Sequence, residues 1–347
     1  MNRALNVGVI GVGTIGKEHL RAYAATGNTK VLAISDVDEK ALKGVAREFK
    51  IRSYFTDYHQ LLALDGLDAV SVCTPPFNHA VLTCDAASAG KHVLCEKPMS
   101  MSAEEAEKMV RACKKDGVKL GICSARSRFD PEVETARRYI SEGKLGKIYY
   151  GRVSSYRRRG RPGIDILVHS KWFIDSSKAG GGALIDIGCY DIDVVLYLLD
   201  SPQPEAVSAM TFRGIEDLPE LDARFDVEEH SSVLVRFAGG PVAVFETAWA
   251  SNYDNSQEAI ILGTRGGLKM HPFTYYTKMD EQQVAIKTEL PSLWGANMRL
   301  LMADFAKACL EDKTPKTPGE DGLKVMQVIS ATYKSAKLGH EVKIAEL

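Results

Sequence analysis

The sequence predicts an α/β protein of two domains. A doubly wound parallel sheet is expected over residues 1–123, and a second α/β domain with a mostly antiparallel open sheet over residues 124–347. Three observations predict this. Strand-like and helix-like runs alternate as far as Cys123. A glycine-rich turn stands between the first strand and the first helix. From Lys147 onward the alternation gives way to strands at hairpin spacing.

The first strand is LNVGVIG (5–11), a short apolar run ending in glycine. TIGKEHLRAYAATG follows as a helix, with Ile15, Leu20 and Tyr23 near helical spacing and Gly27 as its stop. KVLAIS (30–35) is a strand and DEKALKGVAREF a helix. DAVSVCT (68–74) is a strand, and residues 78–90 are a helix closed by Gly90. KHVLCEK (91–97) is a strand. The helix at 102–117 opens with a Ser102/Glu105 capping box and ends in lysines and glycine, and VKLGIC (118–123) is one more strand.

Gly11-Val12-Gly13-Thr14-Ile15-Gly16 has the spacing GxGxxG. It lies between a predicted strand and a predicted helix, the context in which the pattern carries meaning. The first glycine makes a tight turn, the second admits a pyrophosphate to the backbone, and the third packs helix on strand. The helix N-terminus then faces the phosphates. Asp36 ends the second strand. A carboxylate there accepts hydrogen bonds from ribose hydroxyls and repels a 2′-phosphate, which favours NAD over NADP. These features imply a Rossmann domain. In such a sheet, ligands bind at the carboxyl ends of the strands, which here carry Cys73-Thr74-Pro75-Pro76 and Cys95-Glu96-Lys97-Pro98. The two prolines of the first shape a loop. Asn78 is a candidate cap of the next helix. His79 either faces the cofactor or fills the helix's first turn.

In the second half, strands are expected at 147–156, 205–212, 228–237, 241–250 and 257–263, and helices at about 130–142, 183–200, 295–311 and 318–337. The stretch GGGALIDIGCYDIDVV (180–195) places Asp186, Tyr190 and Asp193 at spacings of four and three, hence on one helix face. The alternative reading is close backbone packing at the glycines and a half-buried structural tyrosine. SYRRRGRPG (155–163) ends a strand. Tyr156 and Arg158 share a face if the strand continues, suited to a polyol through guanidinium forks and ring stacking. The alternative is a solvated basic loop. His169 and Trp172 precede the glycines and are candidates for the same pocket, with core anchoring the rival role for Trp172.

The formal net charge of −1 gives no field that favours nucleic acid or an anionic membrane surface. Apolar runs fall short of the roughly 18 residues of a membrane span. Residues 1–13 enter a strand without a secretory pattern. The seven cysteines include no CxxC pair, which suggests reduced thiols in a cytoplasmic protein and no metal site.

GVIGVGTIGKEHL, VCTPPFNHA, GKHVLCEKPMS, GGGALIDIG and the terminal PGEDGLKVMQVISATYKSAKLGHEVKI together resemble the Gfo/Idh/MocA oxidoreductases over nearly the whole chain. The resemblance implies an NAD-dependent dehydrogenase, with Lys97 catalytic and Asp186 beside it. It also implies Thr14, Ile15, Asp36, Thr74, Pro75, His79, Glu96 and Lys97 near the nucleotide. A homo-oligomer, dimer or tetramer, built through the C-terminal sheet, is implied as well. Many members carry histidine where this chain has Tyr190, which resembles the dihydrodiol dehydrogenase and glucose–fructose oxidoreductase branch. Without the export signal and clasping arm of the latter, an exchanging cofactor is expected.

The expected reaction is reversible oxidation of a secondary hydroxyl of a sugar, polyol or glycoside, with C3 of a glycosyl ring as one subclass. One alternative is a glycoside hydrolase working by transient oxidation and elimination with held NAD. Another is an NAD-sensing regulator. Such an oxidation needs a proton acceptor for the hydroxyl. Tyrosine, with a reference pKa of about 10, is a poor base unless a cation is near. An ammonium at about 4 Å and an effective dielectric near 20 contributes roughly 4 kcal/mol, about three pKa units. Either Tyr190 so tuned, or Lys97 depressed by burial, meets the need. Tyr190 and Asp186 are also candidate substrate contacts.

Overall fold

The computed structural model describes residues 3–216, 218, 221–291 and 295–347. They form two compact units. The first runs through Ser100, takes up Glu104–Arg126, and regains the chain in the segment ending at Leu323. The second holds Met101–Ala103, the chain from Ser127 through the second sheet, and Lys324–Leu347. The first unit therefore extends past residue 123 and recruits a helix from late in the sequence.

The first unit contains β1 (Leu5–Ile10), α1 (Thr14–Ala24), β2 (Thr29–Ser35), α2 (Glu39–Glu48), β3 (Ser53–Phe55), α3 (Tyr58–Leu62), β4 (Ala69–Val72), α4 (His79–Ser88), β5 (His92–Cys95), most of α5 (Ala103–Lys115) and β6 (Leu120–Ile122). The sheet order is β3-β2-β1-β4-β5-β6, with every neighbouring pair parallel. This is the doubly wound order 3-2-1-4-5-6, in which the strand order reverses beside β1. All four residues of β4 are buried, as a strand covered on both faces requires. Asp38 caps α2 by accepting from the Lys40 and Ala41 amides, and Asp57 caps α3 through the His59 amide. The Asn78 side chain makes no capping hydrogen bond, because a 3₁₀ turn (Pro76–Asn78) leads directly into α4.

The second unit contains α6 (Pro131–Ser141), β7 (Ile148–Tyr156), α7 (Ser176–Ala179), α8 (Cys189–Leu198), β8 (Pro204–Phe212), β9 (His230–Phe237), β10 (Val242–Ala248), β11 (Ser256–Gly263), β12 (Gly267–Met270), β13 (Thr274–Met279) and β14 (Gln282–Lys287). Next in the chain is α9 (Ala296–Leu310), which belongs to the first unit. A β-carbon on Gly121 would stand 2.8 Å from the Phe305 ring, so glycine in β6 makes room for α9. The chain ends with α10 (Gly319–Leu338) and β15 (Val342–Lys343). The second sheet is ordered β14-β13-β12-β11-β7-β10-β9-β8-β15. Its pairs are antiparallel except β7 with β10. Strands β12–β14 were not anticipated from sequence. β14 is largely exposed, so it lacks the apolar alternation that marks a half-buried strand.

Strand β7 alternates, with Gly151, Val153 and Ser155 buried between less buried neighbours. Its buried face meets α8. A β-carbon on Gly151 would lie 3.3 Å from Val195, and Ser155 donates to Asp191 at 2.9 Å. The helix expected over 183–200 is two pieces. Leu184–Gly188 is a π-helical turn, and α8 continues from Cys189. Such turns are uncommon and concentrate at functional sites. Among the described residues, no helix is long and apolar enough to cross a membrane.

Asp193 of α8 is fully buried and makes a two-pronged ion pair with Arg128, itself 2% exposed, at 2.7 and 2.9 Å. Removing one partner of a buried pair leaves the other charge without compensation. Arg128→Met is expected to destabilise the second unit by about 3–5 kcal/mol. A urea titration followed by circular dichroism measures it, and a loss below about 1 kcal/mol, the level of an exposed pair, contradicts the assignment.

Candidate active site

The glycine turn has the form its spacing predicts. Gly11 has φ +92°, and a β-carbon there would stand 2.7 Å from the Cys73 carbonyl oxygen. At Gly16 a β-carbon would overlap the Gly11 carbonyl, so α1 can pack on β1 only without a side chain at this position. Gly13 is different. It is exposed, nothing lies within 4 Å of where its β-carbon would be, and it is the N-cap residue of α1, with its carbonyl accepting the Lys17 amide at 3.1 Å and no side chain to occupy the helix's free N–H groups. That turn carries no acidic residue, and Thr14 beside it is exposed while Ile15 is half-buried. Asp36 accepts from the Val12 amide at 2.8 Å and the Asp38 amide at 3.0 Å, so its carboxylate is anchored to the glycine turn. Each oxygen keeps lone pairs for further donors. These residues fit a dinucleotide: open backbone at a helix N-terminus for the pyrophosphate, and a fixed carboxylate for the ribose.

Beyond β4 and β5, Thr74, Pro75 and Lys97 are half-buried. His79 and Glu96 are not surface groups. His79 is fully buried, with Nδ1 2.8 Å from the Pro98 carbonyl and Nε2 2.7 Å from the Thr74 carbonyl. Its ring lies between the two loops that follow β4 and β5; when neutral it donates its one N–H to one of the two carbonyls, and when protonated to both. Burial pushes its pKa down, against the pull of those carbonyls. Glu96 is 3% exposed. One carboxylate oxygen lies 2.9 Å from His19 Nε2, and the other accepts the Lys97 amide at 2.9 Å. Burial alone would raise the Glu96 pKa, but His19, Arg126 and the Lys97 amide together hold it down at about 2. Cys123 completes a buried trio whose donor atoms all lie within 4.8 Å of one another. Residues 19, 96 and 123 lie too far apart in sequence for ligand spacing to reveal them. His19 and Glu96 already satisfy each other, and burial raises the Cys123 thiol well away from the thiolate a metal binds.

In the second unit the glycine run is a packing device. β-Carbons at Gly181 and Gly182 would overlap the Tyr333 hydroxyl and the Glu228 carbonyl. Buried Glu228 accepts from the Gly182 and Leu184 amides at 2.8 and 2.9 Å and from Tyr333 at 3.0 Å, fixing the entry to the π turn. Asp186 follows on that turn, 8% exposed, and accepts from the Trp249 indole at 3.0 Å. Trp249 is completely buried in a cluster with Ile174, Ala183 and Val227. Sequence reasoning missed Trp249. Its only signal was a tryptophan at the end of a strand. Tyr190 is half-buried, with its phenol oxygen shielded from solvent. The single face expected for Asp186, Tyr190 and Asp193 is divided, because Asp193 is committed to Arg128.

The substrate candidates separate. Tyr156 follows Ser155, whose side chain meets α8, so Tyr156 lies on the opposite face of the sheet. There its ring makes edge contacts with His230 and Tyr253. That face is not the one carrying Asp186 and Tyr190, which corrects the expectation of a shared pocket. Arg158 and His169 are exposed. Trp172 is half-buried and stacks on Phe173 with centroids 3.8 Å apart. Within the basic run, Arg161 is the arginine the fold encloses. It is 1% exposed and bound by Asp165, Glu216 and Glu229, of which Asp165 does most to hold it protonated. All seven cysteines are free, and five of them (Cys73, Cys95, Cys113, Cys123 and Cys189) are buried.

Residues 5–123 match the model of an oxidoreductase family with an NAD-binding Rossmann fold, and residues 133–269 match the GFO/IDH/MocA C-terminal domain. Levoglucosan dehydrogenase of Pseudarthrobacter phenanthrenivorans is 30% identical, with 96% of each chain covered. D-glucoside 3-dehydrogenase of Escherichia coli K12 is 27% identical over 98% of this chain and 97% of that protein. A solved levoglucosan dehydrogenase in complex with NADH and levoglucosan superposes with a TM-score of 0.87 at 27% identity, covering 99% of this chain and all of that one.

Asp191, next to Tyr190, generates a pH prediction. Burial lifts its pKa from 3.8 to about 7, only partly offset by the Ser155 hydroxyl. A carboxyl group with a raised folded-state pKa stabilises the fold below its unfolded pKa and loses that contribution as pH rises. Stability is therefore expected to fall between about pH 4 and pH 7, by an amount on the order of 2–4 kcal/mol from this group. Asp191→Asn keeps an acceptor for Ser155 and should flatten that slope in denaturant titrations across this range. An unchanged slope counts against the assignment.

Proposed function

Because the chain belongs to the Gfo/Idh/MocA oxidoreductases and uses NAD, we propose that it is a dehydrogenase that reversibly oxidises a secondary hydroxyl of a sugar, polyol or glycoside. The names of its relatives, a glucoside 3-dehydrogenase and a levoglucosan dehydrogenase among them, support this substrate class. A ring carbon such as C3 of a glycosyl unit is the subclass we favour. The observation that carries the reading is the Asp186–Trp249 hydrogen bond, with Tyr190 four residues on. It fixes a carboxylate at the start of an element that then presents a phenol, the pair of groups a carbinol needs.

NAD, when bound, would supply the acceptor for the hydride that leaves the carbinol carbon. The chain's residues manage the proton and the orientation. Gly13 and the first turn of α1 would hold the pyrophosphate, and Asp36 the ribose. Lys97 stabilises negative charge developing on the substrate oxygen. Tyr190 takes the hydroxyl proton. Asp186, oriented by Trp249, accepts from a neighbouring substrate hydroxyl. We further propose that the protein works as a homo-oligomer in the cytoplasm.

One panel tests the class: purified protein with NAD and levoglucosan, methyl glucosides or inositols. Net NADH formation is expected. Aglycone release without NADH would assign the hydrolytic alternative, and nucleotide binding without turnover of any member the regulatory one. On the sugar that is turned over, Lys97→Ala is expected to lower kcat by at least about 10², and Tyr190→Phe by about 10²–10⁴, with NAD affinity by calorimetry nearly unchanged. Near-normal turnover in either variant removes that residue from the proton path. Asp36→Ser should relax a preference for NAD over NADP worth roughly 4 kcal/mol of charge repulsion at about 4 Å. Equal kcat/KM with both nucleotides in the unmodified protein overturns this.

A further inference from the structure

We propose that Glu96 and His19 are positioning residues that set the main chain at Lys97, and that they act through that lysine and not through contact with nucleotide. The inference rests on the reading of Lys97 as the group at the reacting oxygen. The geometry is specific. His19 lies on α1, one turn beyond the last glycine of the nucleotide turn, and is completely enclosed. A carboxylate only accepts hydrogen bonds, so the His19 ring donates from Nε2 to one oxygen of Glu96, at 2.9 Å. The other oxygen accepts the Lys97 N–H at 2.9 Å. Both oxygens are thus engaged by protein. On the far side of Lys97, the Pro98 carbonyl lies 2.8 Å from the ring of His79, whose other nitrogen lies 2.7 Å from the Thr74 carbonyl.

Lys97 is therefore gripped on both flanks by groups without surface exposure, while its own residue is only half-buried. A lysine side chain has four rotatable carbons and cannot place its ammonium from packing alone. Fixing the backbone from which it springs sets the origin and direction of the Cα–Cβ bond, so that only the side-chain torsions remain to be settled by its surroundings. The grip begins on α1, whose first turn meets the pyrophosphate, so it also gives the nucleotide site a direct mechanical tie to Lys97.

Glu96→Gln separates the roles. An amide offers one acceptor and one donor where the carboxylate offers two acceptors, so either His19 or the Lys97 N–H faces another donor. With NAD bound, amide hydrogen exchange at Lys97 is expected to accelerate at least about tenfold, while Val93 in β5 stays protected. This arm needs no sugar. His19→Leu should reproduce it. His19→Gln, which keeps a donor near the Nε2 position, should restore protection, and this pair serves if Glu96→Gln fails to fold. Unchanged exchange at Lys97 in both Glu96→Gln and His19→Leu overturns the proposal.

In turnover of levoglucosan, Glu96→Gln is expected to lower kcat about 10–100-fold, with the KM for NAD changed less than about threefold. In the Lys97→Ala background it should add almost nothing, because both changes act on one group. A full additional loss in that background, or a rise in NAD Kd as large as the loss in kcat, overturns it in favour of direct nucleotide contact. If Lys97→Ala alone leaves turnover intact, the reading of Lys97 fails, while the exchange arm still shows whether the brace exists.

Discussion

Everything at the nucleotide end depends on one steric constraint: α1 begins so close to the end of β1 that a side chain at residue 16 would overlap the Gly11 carbonyl. That closeness lets the helix start where strand and phosphate meet, with its dipole aimed outward. It also sets how deep His19 lies, because one turn after Gly16 the helix is already inside the core. A looser turn would carry His19 outward and leave Glu96 buried without its partner. A buried carboxylate without donors is costly enough to protonate or to leave the core. The glycine turn and the lysine loop, eighty residues apart, are thereby one structure.

The second unit solves a similar problem in the same way. The backbone at Gly181 and Gly182 is pressed against Tyr333 and the chain at Glu228, and the Glu228 carboxylate takes up the Gly182 and Leu184 amides. Asp186 is then held by the Trp249 indole. Glu96, Asp36 and Glu228 each accept two main-chain or ring donors from a neighbouring segment. Carboxylates with two acceptor oxygens suit this work, since each can accept from two donors at once. The cost of burying them is met by donors supplied locally, and the result is a rigid frame around groups that must be placed within fractions of an ångström.

Sequence periodicity carried the parallel sheet, the turn and most strands, because those depend on local pattern and on glycine's lack of a side chain. It did not carry what depends on residues far apart in the chain. His79 read as a group at a strand's carboxyl end, but its two ring nitrogens lie against carbonyls that only the folded loops bring together. Tyr156 was placed near Arg158 on an assumed strand continuation. The pleat instead sets its ring opposite the α8 face, because Ser155 faces Asp191. Trp249 lies 63 residues from its acceptor Asp186. β14 had no apolar stripe to show. Asp193 looked like a third site acid until Arg128, also remote in sequence, was seen to claim it.

Three acids close in sequence have three separate fates: Asp186 lies in the π turn, and Asp191 and Asp193, two residues apart in α8, point to different sides of that helix. One wide turn from Leu184 to Gly188 changes the helical register before α8 begins. Asp186, within the turn, reaches Trp249. Asp191 reaches Ser155 of β7, and Asp193 reaches Arg128. A regular helix would keep spacings of four and three on one face, with Asp186 and Asp193 about 10 Å apart along the axis. Asp193 is neutralised by an arginine in the core, while Asp186 accepts from the Trp249 indole. An indole N–H occupies one lone pair of that carboxylate and adds no positive charge, so it orients the group without neutralising it.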